Sequence, residues 1–226
     1  RGDLYAVDTQ RGELVRIDVD TGETATVAEL EPSLDNLAID GEDRVYVSNM
    51  ADDSILEVDP DTGEVRTVVE SELAAPAGLA LVDGTLYIAD TFAFRSLDTA
   101  SGEISEIGRM WASELEYPVT ATATENEVVL SSWTTGTVQV FDRENMEPTR
   151  LLHDFQAPHD TLALEDGSLL VAELGSGSLL RVRREDDSAS REPVVEGLEG
   201  PAGLVMDDDG TAYLTTAGGR VWALDT

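Results

Sequence analysis

A short segment that runs through apolar residues and ends in a polar side chain recurs six times along this chain of 226 residues. Its copies are Leu4–Asp8, Val45–Asn49, Leu86–Asp90, Val128–Ser132, Leu169–Glu173 and Ala212–Thr216. Their polar ends are 41, 41, 42, 41 and 43 residues apart. Self-similarity at a fixed period of this length is typical of repeat architectures, so the period constrains the fold more than any other feature.

Each period contains four short runs rich in β-branched residues, which we name A to D in chain order; the recurring segment is run B. No helical stripe interrupts the runs. Four short strands every 40 or so residues are typical of β-propeller blades. We therefore predict an all-β propeller of six four-stranded antiparallel blades that forms one domain. The predicted blades are residues 1–30, 31–72, 73–114, 115–155, 156–198 and 199–226.

The first and the last predicted blades are incomplete. The chain begins with run B and ends with run C, so it supplies 22 of the 24 runs that six full blades require. A ring of six with two thin blades and a truncated ring of seven both agree with this count. Because the chain begins with Arg1 rather than Met and shows no signal peptide, we expect a processed or excised piece of a longer polypeptide.

Three kinds of motif in the sequence resemble known functional sites, but we do not interpret any of them as such a site. Asp20-Thr-Gly22 and Asp61-Thr-Gly63 resemble an aspartic protease motif, but both fall between runs C and D, where Gly supplies the positive φ of a hairpin. The segment Asp207–Gly210 lacks a full calcium-loop pattern and is predicted to be an acidic turn. Arg1-Gly-Asp3 resembles an adhesion tripeptide but lies at the end of the chain.

The charge of the chain excludes some partners. Asp and Glu number 47 against 14 basic residues, all of them Arg, and the formal net charge is −33. Such a chain repels phosphate groups, so we expect no nucleic acid partner, and anionic membranes are disfavoured for the same reason. The carboxylates are spread along the sequence, which favours a solvated surface like that of proteins adapted to high salt. A surface that concentrates cations for a ligand site is the alternative.

The chain contains no Cys, which excludes disulfides, thiol catalysis and thiolate metal sites. It has no apolar run long enough for a spanning helix, so we expect no membrane insertion. The absence of Cys agrees with secretion, and an extracellular or periplasmic location is the expectation. Neither the compartment nor the oligomeric state is fixed by the sequence.

In a propeller the ends of the B strands and the beginnings of the A strands meet at one mouth of the central channel. Carboxylate, amide and hydroxyl oxygens, which are the ligands of Ca²⁺ and Mg²⁺, end all six B runs. We predict a site for one of these ions that uses Asp8, Asp90 and Glu173. The alternative is that strands beside a wet channel simply end in polar residues.

Two side chains at this mouth are candidates for proton transfer. His159 lies at the entry to run A, and Glu173 ends run B of the same blade, so the imidazole and the carboxylate are predicted to form a catalytic acid–base pair. Asn36, Asn49 and Asp160 are predicted to bind the ligand.

Aromatic residues occur near the same mouth. Phe92 and Trp133, together with Phe94 and Trp111, are placed to form the wall of a pocket for an organic ligand. Packing between blades is the alternative interpretation.

Two stretches resemble NHL-type propeller repeats: Ala75-Pro-Ala-Gly-Leu-Ala80 through Asp90, and Gly200-Pro-Ala-Gly-Leu through Tyr213. They are also similar to the gluconolactonase (senescence-marker protein) and virginiamycin B lyase propellers. The lyase resemblance implies that His159 and Glu173, which follow the family pattern with Asp166-Gly167 between them, carry an elimination with Mg²⁺. The gluconolactonase resemblance implies a divalent metal held by Glu, Asn and Asp, for which Asn36 and Asp160 are the matching Asn and Asp.

Two functions follow from these observations. The first is a metal-assisted hydrolase or lyase of small molecules, lactonase-like or lyase-like, in which His159 moves the proton. The second is a non-catalytic NHL-like module that binds a protein or a small ligand on the same face. A purely structural domain of a larger surface protein is a third possibility.

Overall fold

The computed structural model describes residues 2–185, 188–207 and 209–225 as an all-β chain. These residues form 22 strands in six antiparallel sheets and contain no helix, so none of them belongs to a helix that could cross a membrane. The tripeptide at Arg1 and the acidic turn at Asp208 each include a residue outside the described ranges.

The chain divides into two compact units, Arg1–Gly108 and Arg109–Thr226. Unit 1 contains three sheets with the strand orders β1-β2-β3, β4-β5-β6-β7 and β8-β9-β10-β11. The strands are β1 (Asp3–Asp8), β2 (Glu13–Asp18), β3 (Thr24–Glu29), β4 (Leu34–Ile39), β5 (Val45–Asn49), β6 (Ser54–Val58), β7 (Val65–Val69), β8 (Pro76–Val82), β9 (Thr85–Asp90), β10 (Ala93–Asp98) and β11 (Ile104–Arg109).

Unit 2 also contains three sheets, with the orders β12-β13-β14-β15, β16-β17-β18-β19 and β20-β21-β22. The strands are β12 (Thr120–Ala123), β13 (Glu127–Ser132), β14 (Thr137–Asp142), β15 (Pro148–Leu152), β16 (Pro158–Ala163), β17 (Leu169–Glu173), β18 (Ser178–Glu185), β19 (Ser188–Glu196), β20 (Pro201–Met206), β21 (Thr211–Thr216) and β22 (Val221–Asp225).

The apolar core of each unit lies between neighbouring sheets, as β17 illustrates. Leu169 and Val171 pack in one cluster with residues of β13 and β14, whereas Leu170 and Ala172 pack in a second cluster with residues of β20 and β21. Successive side chains of a strand point to opposite faces, so a strand between two sheets needs apolar residues at every position. This requirement explains why most B runs are apolar throughout rather than alternating.

The strands follow the predicted repeat. The B strands are β1, β5, β9, β13, β17 and β21, and each ends at the predicted polar residue. Strands β18 (Ser178–Glu185) and β19 (Ser188–Glu196) extend beyond the apolar residues that mark runs C and D of this blade in the sequence. Charged residues on both strands mask the apolar pattern there, and cross-strand contacts such as the ion pair of Arg183 with Glu192 hold the longer hairpin.

The repeated acidic motifs between runs C and D are hairpin turns, as predicted. Asp18 Oδ1 accepts hydrogen bonds from the amides of Asp20 and Thr21, and Gly22 at φ 72° donates its N–H to the carbonyl of Asp18. These hydrogen bonds, led by that from Thr21, lower the pKa of Asp18. Asp59 forms the same turn, so both Asp-Thr-Gly motifs are structural.

Hydroxyl groups on the inner strands join neighbouring sheets within each unit. In unit 1 Ser48 Oγ donates to the carbonyl of Ala77 over 2.7 Å. In unit 2 Thr120 Oγ1 donates to the carbonyl of His159 over 2.7 Å. Each bond links two sheets whose apolar faces pack together. It fixes the position of one sheet relative to the other along the direction of their strands.

Candidate functional site

The B strands end, and the A strands begin, at one edge of each sheet, which we call the upper edge. Of the six polar residues that end the B strands, Asp8 is half-buried and the others are buried: Asn49, Asp90, Ser132, Glu173 and Thr216. Buried polar groups require hydrogen-bond partners, so the partners show what these residues do.

In unit 1 two of these residues cap the turn that follows their own strand. Asp8 Oδ1 accepts hydrogen bonds from the amides of Gln10 at 3.0 Å and Arg11 at 2.9 Å. Asn49 Oδ1 accepts from the amide of Ala51, and Asn49 Nδ2 donates to the carbonyl of Glu31 in the connection that leads to β4. Asn49 therefore ties the turn after β5 to the segment before β4.

Asp90 makes a buried ion pair within the third sheet of unit 1. Its Oδ2 atom lies 2.7 Å from Arg95 Nε, and its Oδ1 atom accepts the amide of Ala74 at 2.6 Å. The side chain of Asp90 is 0% exposed and that of Arg95 is 17% exposed. Both carboxylate oxygens are thus engaged by the sheet itself.

In unit 2 both carboxylate oxygens of Glu173 are likewise engaged by neighbouring groups. Its Oε1 atom accepts the amide of Gln156 at 2.6 Å, and its Oε2 atom accepts the hydroxyl of Ser176. Ser132 Oγ accepts the amide of Thr135 in the turn that follows its own strand, β13. The ends of the B strands therefore organise the upper-edge loops.

The predicted divalent-metal site would draw on Asp8 and Asp90 in unit 1 and on Glu173 in unit 2. In residues 2–185, 188–207 and 209–225, no group of three or more His, Asp and Glu side chains is arranged to hold a metal ion. The site for Ca²⁺ or Mg²⁺ stays a prediction. The hydrogen bonds of these three carboxylates with loop amides, and that of Asp90 with Arg95, agree with the alternative interpretation, in which the strands simply end in polar residues.

A β-bulge at the beginning of the A strands sets the direction of the candidate catalytic residue. Pro158 pairs with Glu173, and Asp160 pairs with Ala172, so His159 is an extra residue without a partner in the register. In β4 the register shifts in the same way before Leu37. Bulges re-aim side chains, and they are common beside functional sites.

His159 and Glu173 lie on paired strands, but no hydrogen bond joins His159 Nδ1 to Glu173. The Nδ1 atom is buried and has no hydrogen-bond partner among the described residues. Burial lowers the pKa of His159, which favours the neutral imidazole. The oxygens of Glu173 are engaged by Gln156 and Ser176. The catalytic role of the two residues stays a prediction.

The predicted ligand-binding residues Asn36 and Asp160 also make local contacts. Asn36 Oδ1 accepts the amide of Leu37 at 2.8 Å. Asp160 is 6% exposed; its Oδ1 atom accepts the amide of Thr161, and its Oδ2 atom accepts the amide of Leu204 at 2.9 Å. Asp160 thereby joins the last two sheets of unit 2. A ligand-binding role for Asn36, Asn49 and Asp160 stays a prediction.

Asp35 has a property that the sequence did not reveal. It lies in the bulge of β4, and its carboxylate has no hydrogen-bond partner among the described residues. Burial raises the pKa of Asp35 to about 6. The bulge of β4 holds this carboxyl group in a largely buried position, and the sequence does not show that the group lacks a partner there.

Exposed aromatic residues lie in the upper-edge loops. Phe92 is 44% exposed, Trp133 is 48% exposed, and Trp111 in the connection that leads to β12 is 86% exposed. Phe94 is fully buried, so the interpretation as packing between blades applies to Phe94 and not to the three exposed aromatic residues. The sequence analysis missed Leu174, which is 38% exposed and directly follows a B strand, as Trp133 does.

Comparison with known proteins shows the fold. No protein-family model matches the chain, and no curated protein does. A chain of a nidogen–laminin complex matches with a TM-score of 0.82 and 16% identity, over 99% of this chain and 88% of that one. Virginiamycin B lyase from Staphylococcus aureus, solved with quinupristin, matches with a TM-score of 0.75 and 16% identity, over 99% and 77%. Hydrazine synthase from Kuenenia stuttgartiensis matches with a TM-score of 0.74 and 17% identity, over 99% and 73%.

The chain is therefore a six-bladed β-propeller in which each antiparallel sheet is one blade. The predicted fold class is confirmed, and so is the resemblance to virginiamycin B lyase-type and NHL-type propellers at the level of the fold. Identities of this size carry no activity from one propeller to another.

Proposed function

We infer that this chain is a non-catalytic propeller module that binds a protein partner through the upper-edge loops of unit 2. The observation that carries the proposal is the division of roles among the upper-edge residues. The predicted catalytic and metal-binding carboxylates are engaged in capping turns, while large apolar side chains in the same loops face solvent.

Trp111, Trp133 and Leu174 form the proposed contact. Their exposed fractions are 86%, 48% and 38%. Exposed large apolar side chains that recur at one edge are a common mark of a protein interaction site, and Trp is the residue type most enriched among binding hot spots. The solved propeller from the nidogen–laminin complex supports this choice, since it comes from an assembly of proteins.

The charge of the chain restricts the partner. A net charge of −33 repels acidic proteins and attracts basic ones. Glu114 and Glu116 lie in the same loop as Trp111. The expected partner surface is apolar at its centre and bordered by Arg or Lys.

The test is a capture experiment with matched variants. The wild type, Trp133→Ser and Ile39→Ser are immobilised, and bound proteins are identified; Ile39 is 40% exposed at the opposite edge of its sheet. The proposal expects one partner on the wild type and on Ile39→Ser, with binding at least tenfold weaker to Trp133→Ser when the pair is purified. Equal binding by all three chains would refute the proposed surface.

A lyase-like or lactonase-like enzyme is the second candidate, and His159 is the observation that favours it. Its buried Nδ1 atom has no partner among the described residues, and its lowered pKa suits a base. Turnover of quinupristin or of simple lactones by the wild type, lost in His159→Ala, would establish this function and contradict the non-catalytic one.

A further inference from the structure

Arg150, in β15, carries a guanidinium group without a counter-ion. The residue is half-buried, and its Nη1 atom is buried and has no hydrogen-bond partner among the described residues. Arginines elsewhere in the described residues pair with carboxylates or donate to main-chain carbonyls; they include Arg11, Arg16, Arg44, Arg66, Arg95, Arg143, Arg183 and Arg191. A buried charge is unfavourable unless it is paired, so the partner of Arg150 has to come from elsewhere.

A displaced β-bulge turns Arg150 towards the next sheet. In β3, β7 and β19 the register shifts directly after the residue that pairs with Leu14, Ile55 or Leu179 of the preceding strand. In β15 the shift comes two residue pairs later, so Arg150 pairs with Val140. Directly paired residues of antiparallel strands share a face of the sheet. Val140 is 0% exposed and belongs to the apolar cluster that joins this sheet to β17 and β18, so Arg150 points into the same interface.

The facing surface of the next sheet brings no carboxylate to this interface. Its residues are Leu180, Val182, Arg191 and Pro193. Arg191 adds a second guanidinium group, whose Cζ atom lies 4.1 Å from the centre of the Phe155 ring and which donates to two main-chain carbonyls. The neighbouring Glu192 lies on the opposite face of its strand and pairs there with Arg183. Two cations therefore border an apolar interface without an anionic side chain.

An anion from solution fits this setting. Guanidinium groups bind anions through charge-assisted hydrogen bonds. Because the Nη1 atom of Arg150 is buried, the anion must be small, which favours a halide over a phosphate or a carboxylate of another molecule. The net charge of −33 repels anions at low ionic strength, and salt screens this repulsion. The site is therefore expected to fill as the concentration of chloride rises.

We propose that Arg150 binds a chloride ion between β15 and the sheet that contains β18 and β19. The ion neutralises the buried guanidinium group, and Arg191 on the facing strand adds to the positive potential. Unfolding exposes Arg150 to water, so the ion binds the folded chain and stabilises it by mass action. The site uses none of the residues of the proposed protein contact and does not depend on the proposed function.

The first test locates the ion with bromide, which replaces chloride and scatters X-rays anomalously. Crystals of the wild type and of Arg150→Gln are soaked in molar sodium bromide. The proposal expects an anomalous peak in contact with the guanidinium group of Arg150 and no peak there in Arg150→Gln. Trp133→Ser must keep the peak, so failure of this proposal and failure of the upper-edge proposal are distinguished.

The second test measures melting temperatures in rising NaCl and in sodium gluconate of the same ionic strength, because gluconate is too large for the site. The margin of the wild type over Arg150→Gln should grow by about 2 °C or more in chloride but not in gluconate. Arg66→Gln is the matched control: it removes one charge from β7, where Arg66 pairs with Glu57 and is 60% exposed, and its margin is the same in both salts.

Several results would overturn the proposal. They are the absence of a bromide peak at Arg150, a peak that persists in Arg150→Gln, and a margin that is equal in the two salts. A peak without the chloride-dependent margin would be an adventitious ion only and would also refute the proposal. If Arg150→Gln does not fold, Arg150→Lys takes its place, since it keeps the charge but loses the planar fork, and the crystals of the wild type still decide.

Discussion

Asp35 offers a quantitative test of the bulge at the beginning of the A strands. Burial raises the pKa of this carboxyl from 3.8 to about 6, and it has no hydrogen-bond partner among the described residues. The folded chain therefore holds a proton that the unfolded chain has already released between pH 4 and 6. Stability contributed by the protonated form is complete below about pH 4 and is lost as the pH rises through about 6.

The magnitude follows from that interval. At about 1.4 kcal/mol for each pH unit, the interval from 3.8 to about 6 corresponds to about 3 kcal/mol. Because Asp35 is partly exposed, we expect about 2 kcal/mol in practice. Asp35→Asn keeps the size of the side chain and removes the titration. The variant should match the wild type near pH 4 and exceed its unfolding free energy by about 2 kcal/mol above pH 7.

The assay is urea unfolding from pH 4.5 to 8 at fixed high ionic strength. Asp52→Asn is the matched control, since Asp52 is exposed in the same sheet and its substitution removes the same charge. The difference between Asp52→Asn and the wild type serves as the baseline from which the difference for Asp35→Asn is measured at each pH. A flat difference for Asp35→Asn, or a loss of stability at pH 8, would refute the burial argument.

Three further predictions concern stability. Asp90→Asn removes one partner of the buried ion pair with Arg95 and should cost about 3 kcal/mol in urea unfolding, even in EDTA; an unchanged midpoint would contradict the pair. Gly177→Ala should lower the unfolding free energy by about 2 kcal/mol or more, and Gly22→Ala should lower it by about 1 kcal/mol. Both glycines have a positive φ, but a Cβ at Gly177 would lie 2.6 Å from the carbonyl oxygen of Leu198, whereas a Cβ at Gly22 would meet no atom within 4 Å. Equal losses for the two variants would show that only the backbone conformation matters. Raising NaCl should raise the melting temperature, because it screens a net charge of −33, and a flat response would contradict surface repulsion.

The repeat made the fold predictable because the propeller imposes the same environment on each B strand. β5, β9, β13 and β17 lie between two neighbouring layers of side chains, so nearly every position is buried and apolar. The polar residue that ends each strand marks the boundary in the sequence. In β18 and β19 charged residues interrupt the apolar pattern, so the sequence does not show how far these two strands extend.

The roles of the polar strand ends could not be predicted, because their partners are distant in sequence. Glu173 bonds the amide of Gln156, 17 residues earlier, and Asp90 bonds the amide of Ala74, 16 residues earlier. These contacts depend on the path of the connection before each A strand. The sequence shows which oxygens are present but not which amides already occupy them.

The bulge had a signal that the sequence analysis did not use. Three A strands begin with Pro, namely Pro76, Pro158 and Pro201, and Pro118 lies two residues before the first residue of β12. Proline has no N–H to donate and is confined to strand starts, edges and bulges. The register shifts directly after Pro76, Pro158 and Pro201, so a Pro at the start of an A run indicates an irregular register, in which the next residue, such as His159, is re-aimed.

The central proposal is that the upper-edge carboxylates hold loops together rather than serve a metal-dependent reaction. The most direct measurement is thermal unfolding of the wild type and Glu173→Gln in EDTA, Ca²⁺ and Mg²⁺ at fixed high ionic strength. Glu173→Gln weakens charge-assisted hydrogen bonds to Gln156 and Ser176, so it should be less stable by about 1 to 3 kcal/mol, equally in all three conditions. A saturable rise in the melting temperature of the wild type with either ion, absent in Glu173→Gln, would contradict the claim.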